Sequence, residues 1–300
     1  MTKKILITGA SGFIGRSLYE HFSNVYFSPL ERNVIATTRQ DLDLLDSDSV
    51  YKFLKQNKFD AVIHSATYDA APRFAKKDSQ LVLEKNLRMF FNIYSARAHF
   101  GKMIYFGSGA EAGRENWIPK MTEDYIEKKI PPDQYGFSKH IMNEVAGQST
   151  NIYNLRLFGV FGKFDDWRYR FISNVCCKAA LDMPIIINKN VRFDYLDMQD
   201  LANITERFIE KTTNRQSYNV CSGNVYDYRT IAEKIREISG KDLEIIIKEG
   251  GESPEYSGNP ANILTEFESL SITPLDISLK RLYNWYSQCK TNIHPSQFEY

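Results

Sequence analysis

Short apolar runs alternate with longer amphipathic segments through the first half of the chain. The apolar runs predict buried strands over residues 4–8, 34–38, 61–64, 102–106 and 152–157. Apolar residues at helical spacing predict helices over residues 14–22, 47–56, 83–99 and 138–147, the last beginning there or slightly earlier. Strands and helices that alternate in this way build right-handed βαβ units. The pattern therefore predicts an α/β fold with a doubly wound parallel sheet.

After about residue 160 this alternation weakens. The pattern there predicts helices over residues 170–180, 201–211 and 230–239, and strands over 184–188 and 243–248. Glycine and proline punctuate residues 250–260, which predicts loops. We expect residues 1–160 to form a first domain. Residues 161–300 should form mainly a smaller C-terminal α/β domain, with some segments that return to the first domain's sheet.

Composition and charge exclude several classes of protein. The 300 residues carry a net charge of +1, which gives no overall field to attract nucleic acid or an anionic membrane. No stretch is long enough to span a bilayer, and the N-terminal apolar run is too short for a signal peptide. The four cysteines have neither metal-site nor disulfide spacing. We expect a cytoplasmic protein with reduced thiols, no metal and no nucleic-acid or membrane partner.

A glycine-rich turn links the first predicted strand to the first predicted helix. Gly9 allows a positive φ, Gly12 removes a Cβ from the path of a diphosphate, and Gly15 lets the helix pack close to the strand. The free N–H groups of the helix N-terminus would then hold the diphosphate. A βα turn without a ligand is the alternative. The candidate dinucleotide-binding residues are Gly9, Ser11, Gly12, Phe13, Ile14 and Gly15.

Tyr135 and Lys139 place a phenol and an ammonium group four residues apart on one helix face. A neighbouring cation favours the phenolate, so we expect the pKa of Tyr135 to be lowered. Such a tyrosine can exchange a proton with a carbonyl or alcohol group. Alone the pair is common, but the strand over residues 102–106 also leads into Ser108 and two flanking glycines.

Together these motifs resemble the extended short-chain dehydrogenase/reductase family, in its nucleotide-sugar branch, which has a Rossmann domain. The resemblance implies that Ser108 hydrogen-bonds the substrate oxygen, Tyr135 is the acid/base, and Lys139 holds the nicotinamide ribose. The alternatives are a turn-capping serine, a packed aromatic ring and a solvated lysine. The further segments that carry it are Asp60-Ala61-Val62-Ile63-His64-Ser65-Ala66 and Leu155-Arg156-Leu157-Phe158-Gly159-Val160-Phe161-Gly162.

The same resemblance adds Ala66 and Phe158 to the predicted cofactor site. His64 lies inside an apolar run, so we expect it to be a satisfied core residue and not a catalytic one. Relatives form homodimers through two helices of the sheet domain. The resemblance therefore implies a homodimer here, with residues 83–99 and the Tyr135 helix as candidates.

The second strand favours NADP(H) over NAD. NAD-specific proteins carry an acidic residue at the tip of this strand, which binds the ribose hydroxyl. Here the tip carries Arg39, whose planar guanidinium suits a 2′-phosphate. Asp41 and Asp43 follow in a predicted loop beyond the tip. We therefore predict that Arg39 contributes to NADP(H) binding in the first domain; a solvated loop arginine is the alternative.

Within the family, the chain resembles the GDP-L-fucose synthase group, whose members epimerise a 4-keto-6-deoxy sugar and then reduce it with NADPH. Epimerisation in that group uses a cysteine two residues after the serine and a histidine in a later helix. Here the first position is Ala110, and Arg170 or a neighbour stands at the second. Neither can shuttle a proton at neutral pH. This predicts an NADPH-dependent C4 ketoreductase of a nucleotide-linked 4-keto deoxyhexose or heptose, GDP-linked by preference, without 3,5-epimerase activity.

The substrate diphosphate needs a basic partner. Arg192 lies one residue earlier than the arginine of relatives, which turns its side chain to the other strand face. Lys163, Arg168 and Arg170 are further candidates, each of which could instead be a solvated surface residue.

Other functions stay open at this point. A 4-epimerase with tightly bound NAD is the nearest alternative, and a non-catalytic NADP-binding regulator is more remote. A dehydratase is disfavoured, because Glu111 is the single acid close to Ser108 on its C-terminal side.

Overall fold

A computed structural model describes residues 2–24, 32–69, 77–251 and 253–298. Its main sheet has six parallel strands in the order β2-β1-β3-β4-β5-β9. These strands are β1 (Lys3–Thr8), β2 (Arg32–Thr37), β3 (Ala61–His64), β4 (Lys102–Ser108), β5 (Ile152–Leu157) and β9 (Ser217–Val220). The strand order reverses between β1 and β3, so the carboxyl ends of these two strands form the crevice in which doubly wound sheets bind ligands. The predicted parallel α/β sheet is confirmed.

Helices cover both faces of this sheet. Helices α1 and α7 pack on one face, and α2, α3 and α5 pack on the other. The helices are α1 (Phe13–Ser23), α2 (Ser47–Asn57), α3 (Val82–Ser95), α4 (Glu123–Ile126), α5 (Gln134–Gly147), α6 (Phe171–Ala180), α7 (Met198–Glu210), α8 (Tyr228–Ser239), α9 (Ala261–Glu266) and α10 (Leu275–Cys289).

A second apolar core lies between α6, α8 and α10 and the short strands beside them. Two small sheets have the strand orders β10-β8-β6 and β11-β7. Their strands are β6 (Gly159–Phe161), β7 (Ile185–Lys189), β8 (Arg192–Asp197), β10 (Val225–Asp227) and β11 (Ile245–Glu249). Strand β9 and helix α7 belong to the second half of the sequence but complete the main sheet and its cover. The division at residue 160 stays a prediction.

The element bounds differ from the sequence prediction in a few places. The helix predicted over residues 83–99 ends at Ser95, where the N–H of Ala96 donates to Ile93 O and tightens the last turn. Strand β9 and helix α10 were not predicted, although both are well formed. All four cysteines are free thiols. Among the described residues, no helix combines the length and apolarity of a membrane span, and no cluster of His, Cys, Asp and Glu is arranged to hold a metal ion.

Candidate active site

The glycine turn after β1 lies at the crevice between β1 and β3. Gly9 has φ +70°, and a Cβ there would lie 2.7 Å from the backbone N and Cα of Ala66. A Cβ at Gly15 would lie 2.4 Å from Gly9 O. By contrast, a Cβ at Gly12 would meet only that same carbonyl oxygen, at 3.4 Å. The turn is therefore packed tightly on its inner side and open on its outer side.

The N-terminus of α1 fits an anionic group. Gly12 is its N-cap and supplies no side-chain hydrogen bond, and the first turn carries no acidic residue. The first N–H groups of the helix are thus left uncapped by any side chain at its positive end. Ser11 and Gly12 are exposed, and Phe13 and Ile14 are half-buried beside them. With the open outer side of the turn, these residues fit the diphosphate of a dinucleotide.

The tip of β2 carries a cation, Arg39, with the carboxylates of Asp41 and Asp43 beside it. Asp41 Oδ2 accepts hydrogen bonds from Thr38 N at 2.8 Å and Thr38 Oγ1 at 2.7 Å, and these bonds lower the pKa of Asp41. The Arg39 side chain is 75% exposed, and its Nη2 lies 3.5 Å from Asp43 Oδ2. The local geometry thus commits Asp41 to its own turn and leaves Arg39 accessible at the strand tip.

Strand β4 ends at Ser108, which both caps a turn and faces other hydroxyl groups. Ser108 Oγ accepts the N–H of Ala110 at 3.1 Å, and Glu111 Oε1 accepts the N–H of Ser108 at 3.0 Å. Ser108 therefore does cap a turn, but this is only one of its contacts. The same Oγ lies 3.3 Å from the phenolic oxygen of Tyr256, and it interacts with Tyr135 in the direction that lowers the pKa of Tyr135.

Helix α5 carries Tyr135 and Lys139 against this turn. A Cβ at Gly136 would lie 2.4 Å from Ala110 O, so glycine is required for the close approach of helix and turn. Lys139 Nζ donates to Phe106 O at 2.8 Å and lies 5.7 Å from the centroid of the Tyr135 ring. Burial lowers the pKa of Lys139 to about 8, although Glu111 acts in the opposite direction.

The expected lowering of the Tyr135 pKa is wrong for this structure. Burial, with a smaller contribution from Asp69, raises the pKa of Tyr135 to about 12, against opposing effects of Arg170 and Ser108. Lys139 is anchored to the end of β4 and does not dominate the phenol. At neutral pH Tyr135 is therefore protonated and can donate.

Arg170 is the basic candidate that the structure brings to Tyr135. It precedes α6, and its charge acts directly on the phenol. Arg170 Nε lies 3.7 Å from Oδ1 of Asp165. Asp165 is buried, and this burial raises its pKa to about 6 in spite of Arg170. The arginine thus projects from a partly buried ion pair.

The other basic candidates have partners elsewhere. Lys163 Nζ pairs with Glu20 of α1 at 2.5 Å, and Arg168 pairs with Asp166. Arg192 is exposed, with its Nη2 3.3 Å from Glu255 Oε2. Lys163 and Arg192 as substrate ligands stay a prediction; in this structure each cation lies beside a neighbouring carboxylate.

Aromatic side chains from β8, α6, α8 and the segment before α9 pack against one another, which the sequence analysis did not predict. Phe193 on β8 has its ring centroid 5.2 Å from that of Tyr256, and Phe171 stacks on Tyr228 at 3.6 Å. Tyr195 Oη lies 3.2 Å from Tyr228 Oη. The alternation of aromatic residues at 193 and 195 in β8 was an available signal for this face, whereas Tyr256 follows a glycine-rich loop that carries no pattern.

Two ionisable residues near Ser108 are structural. Glu111 is buried, with its Oε2 2.7 Å from Nε of the fully buried Arg156, and Asn154 Nδ2 also donates to it. This carboxylate is committed to the core, which agrees with the disfavoured dehydratase. His64 Nδ1 lies 3.0 Å from Thr8 Oγ1, and burial lowers its pKa to about 3. It is a neutral core residue, as predicted.

Comparison with known proteins identifies the family. The family model described as the NAD dependent epimerase/dehydratase family matches residues 5–221. The chain is 26% identical over 277 residues to a GDP-6-deoxy-D-talose 4-dehydrogenase of Aggregatibacter actinomycetemcomitans, which covers 87% of this chain and 90% of the relative. It is 29% identical over 339 residues to a UDP-glucose 4-epimerase of Pisum sativum, with 95% of each covered.

A solved structure agrees in fold with this chain over nearly its whole length. It is a GDP-mannoheptose C4 reductase from Campylobacter jejuni with NADP bound. The TM-score is 0.82 at 20% identity, and the alignment covers 95% of this chain and 98% of that one. With the glycine turn and the Ser108–Tyr135–Lys139 cluster, these findings confirm the resemblance seen in the sequence. The chain belongs to the NAD dependent epimerase/dehydratase family and is a nucleotide-sugar-modifying enzyme of the extended short-chain dehydrogenase/reductase type.

Proposed function

We propose that this enzyme is an NADPH-dependent C4 ketoreductase of a nucleotide-linked 4-keto sugar, without 3,5-epimerase activity. The observation that carries the proposal is the cluster of Ser108, Tyr135 and Lys139 at the carboxyl edge of the sheet, where Ser108 acts on the Tyr135 phenol and Lys139 Nζ lies 5.7 Å from its ring. A GDP-linked deoxyhexose or heptose is the preferred substrate, because GDP-sugar enzymes recur among the relatives and structural neighbours. We expect the enzyme to work in the cytoplasm.

The residues that would hold NADP(H) are those of the glycine turn, together with Arg39 for the 2′-phosphate, Ala66 and Phe158 along the crevice, and Lys139 for the ribose. When bound, the reduced nicotinamide supplies the hydride for carbonyl reduction. An NADP-bound structural neighbour supports this assignment. The uncapped N-terminus of α1 and the exposed Arg39 support it independently.

Ser108 and Tyr135 have separate tasks in the proposed reduction. The Ser108 hydroxyl would donate a hydrogen bond to the ketone oxygen, where negative charge develops. Tyr135 would transfer its phenolic proton to that oxygen as the alcohol forms. Because its pKa is about 12, Tyr135 holds the proton that reduction needs. The Lys139 ammonium group would favour the phenolate left after transfer.

The absence of epimerisation is proposed from two positions. Ala110 has only a methyl group where epimerising relatives use a cysteine, and its N–H is committed to Ser108 Oγ. Arg170 or a neighbour would stand where those relatives have the later histidine, and Arg170 stays charged at neutral pH. Arg170 would instead contact the substrate, since its charge already acts at Tyr135.

A 4-epimerase with tightly bound NAD is the second candidate, and the relation to the Pisum sativum 4-epimerase favours it. An epimerase must first remove a proton from the sugar hydroxyl, so it needs a deprotonated tyrosine at the start. The exposed Arg39 at the tip of β2 suits the 2′-phosphate of NADP(H) and therefore favours the reductase. A non-catalytic regulator has no need for Ser108, Tyr135 and Lys139 together.

The test is NADPH oxidation by the purified protein with GDP-, CDP- and dTDP-linked 4-keto sugars, with NADH in parallel. We expect turnover with one substrate, faster with NADPH, and a product that keeps its C3 and C5 configurations. Tyr135→Phe should abolish turnover. Arg39→Ala should raise KM for NADPH but not for NADH, whereas the exposed helix variant Arg88→Ala should change neither. No oxidation, with NAD released on denaturation, would instead establish the epimerase.

Dimerisation is also proposed on the basis of the resemblance, through α3 and α5. These helices pack against each other, and Phe91 on α3 is 38% exposed. Light scattering of the wild type and Phe91→Asp should show a dimer that the variant dissociates. A monomeric wild type would contradict the assignment.

A further inference from the structure

Tyr256 reaches the candidate site from a distant part of the sequence. Its phenolic oxygen lies 3.3 Å from Ser108 Oγ, across a separation of 148 residues. The side chain is only 6% exposed. Residues 253–259 carry it, between β11 and α9, in a segment with no helix of its own. Nothing in the function proposed above requires this contact.

Several contacts fix the position of Tyr256. The N–H of Asp194 donates to Tyr256 O, and the N–H of Tyr256 donates to Arg192 O, each at 3.0 Å, so the backbone is pinned to β8. The ring packs against Trp117, with centroids 4.2 Å apart, and against Phe158 at 5.2 Å. This packing immobilises the phenol before substrate arrives, which lowers the entropic cost of using it.

Glycine at two positions makes room for this arrangement. A Cβ at Gly109 would lie 2.6 Å from the Phe158 ring and 2.8 Å from Tyr256 Oη. A Cβ at Gly258 would lie 2.3 Å from the Phe158 ring. The missing Cβ atoms of the two glycines thus leave space for the rings of Phe158 and Tyr256, and the Tyr256 phenol can reach Ser108.

The hydrogen-bond capacity of Ser108 makes this contact informative. A hydroxyl group has one proton and two lone pairs. The N–H of Ala110 already occupies one lone pair of Ser108 Oγ. Burial raises the pKa of Tyr256, whereas the hydroxyl of Ser108 and the N–H of Ala110 both act on the phenolic oxygen in the direction that lowers it. The hydroxyl groups of Ser108 and Tyr256 share one hydrogen bond, in which either can donate, so Ser108 Oγ is held from two sides by Ala110 and Tyr256.

We propose that Tyr256 is a positioning residue that holds the Ser108 hydroxyl in the rotamer that faces the substrate carbonyl. The hydrogen bonds to the Ala110 N–H and the Tyr256 phenol restrict rotation of the Ser108 side chain, which is the proposed donor to the ketone oxygen. The inference rests on the proposed ketoreductase, because it assigns Tyr256 a role in presenting that donor. It acts through Ser108 and does not itself exchange a proton with the sugar.

A double-mutant cycle tests the proposal. Tyr256→Phe keeps the ring and removes only the hydroxyl, and we expect kcat to fall roughly tenfold or more, with KM for NADPH unchanged. In a Ser108→Ala background the same substitution should cost nothing further, because the group it acts through is gone. The matched control is Tyr125→Phe, which removes a hydroxyl bonded to Asn116 O in the same aromatic cluster and should leave kcat unchanged.

The outcomes separate this inference from the proposed function. Equal losses in both backgrounds, or no loss in either, would overturn the role of Tyr256 while the ketoreductase stands. If the wild type reduces no 4-keto sugar, the proposed function fails, and crystal structures of the wild type and Tyr256→Phe decide the inference. We expect Ser108 to adopt a different rotamer in the variant. An unchanged rotamer, or a wild-type Oγ–Oη distance beyond hydrogen-bond range, would overturn it.

Discussion

The buried ion pair beneath Ser108 allows a quantitative test of how this site is supported. Glu111 and Arg156 are 1% and 0% exposed, and Glu111 Oε2 lies 2.7 Å from Arg156 Nε. Burial lowers the pKa of Arg156, but Glu111, together with Glu127 and Tyr105, outweighs this effect and raises it. Glu111→Gln keeps the shape and can still accept the N–H of Ser108, but it leaves the arginine charge without its main partner.

The expected cost follows from the burial of both groups. Removing one member of a buried pair costs about 3–5 kcal/mol, because the remaining charge stays desolvated. Glu127 Oε1, 3.7 Å from Arg156 Nη2, compensates in part, and its side chain is 36% exposed. We therefore expect the free energy of unfolding to fall by about 3 kcal/mol, a large share of the total of about 5–15 kcal/mol for a typical protein.

Urea unfolding followed by tryptophan fluorescence measures this loss. Glu115→Gln, an exposed position in the same region, is the control and should stay within about 0.5 kcal/mol of the wild type. Replacing both members of the pair by leucine should recover much of the loss, because no buried charge remains. A Glu111→Gln variant within about 1 kcal/mol of the wild type would refute the reasoning.

Three further changes test other parts of the structure. Gly15→Ala places a Cβ 2.4 Å from a backbone carbonyl oxygen and should weaken NADPH binding at least tenfold in fluorescence titrations, whereas Gly147→Ala, with nothing within 4 Å, should not. The pKa of Asp165, about 6, is higher in the folded protein than in the unfolded chain, so the stabilisation by its protonated form is lost as pH rises through 6. Between pH 5 and pH 7 the free energy of unfolding of Asp165→Asn, measured in urea, should therefore rise by about 1 kcal/mol relative to that of the wild type. Gly258→Ala places a Cβ against the Phe158 ring and should lower kcat in steady-state assays while KM changes little. A raised KM with an unchanged kcat would show that this loop serves substrate binding instead.

The sequence alone predicted the parts of the site that depend on local geometry. The glycine turn, the end of β4 and the Tyr135–Lys139 spacing each lie within one strand–turn–helix unit, where neighbouring residues dictate the backbone. The direction of the Tyr135 pKa shift was wrong, because burial depends on the segments folded over the phenol. The spacing of Tyr135 and Lys139 along the helix predicts the distance between them, but it does not predict which segments bury the phenol.

Contacts between distant segments account for what was missed. Tyr256 reaches Ser108 only because β8 holds its backbone, and no local pattern encodes that pairing. The pairing of Arg192 with Glu255 and of Lys163 with Glu20 is equally remote in sequence. The one-residue offset of Arg192 in β8 is local information, so it predicts a strand face for the side chain but not its partner. The identity of the partner carboxylate required the fold.

Strand β9 joins the main sheet only after the chain has passed through β6, β7 and β8. During synthesis, the sheet therefore cannot be completed until residue 220 has emerged. Until then the outer edge of β5 is unpaired, and the face that α7 covers is exposed to solvent. Unpaired edges of this kind recruit other chains, so the nascent protein is most prone to aggregate in this interval. Expression of residues 1–160 alone would prolong that vulnerable state indefinitely.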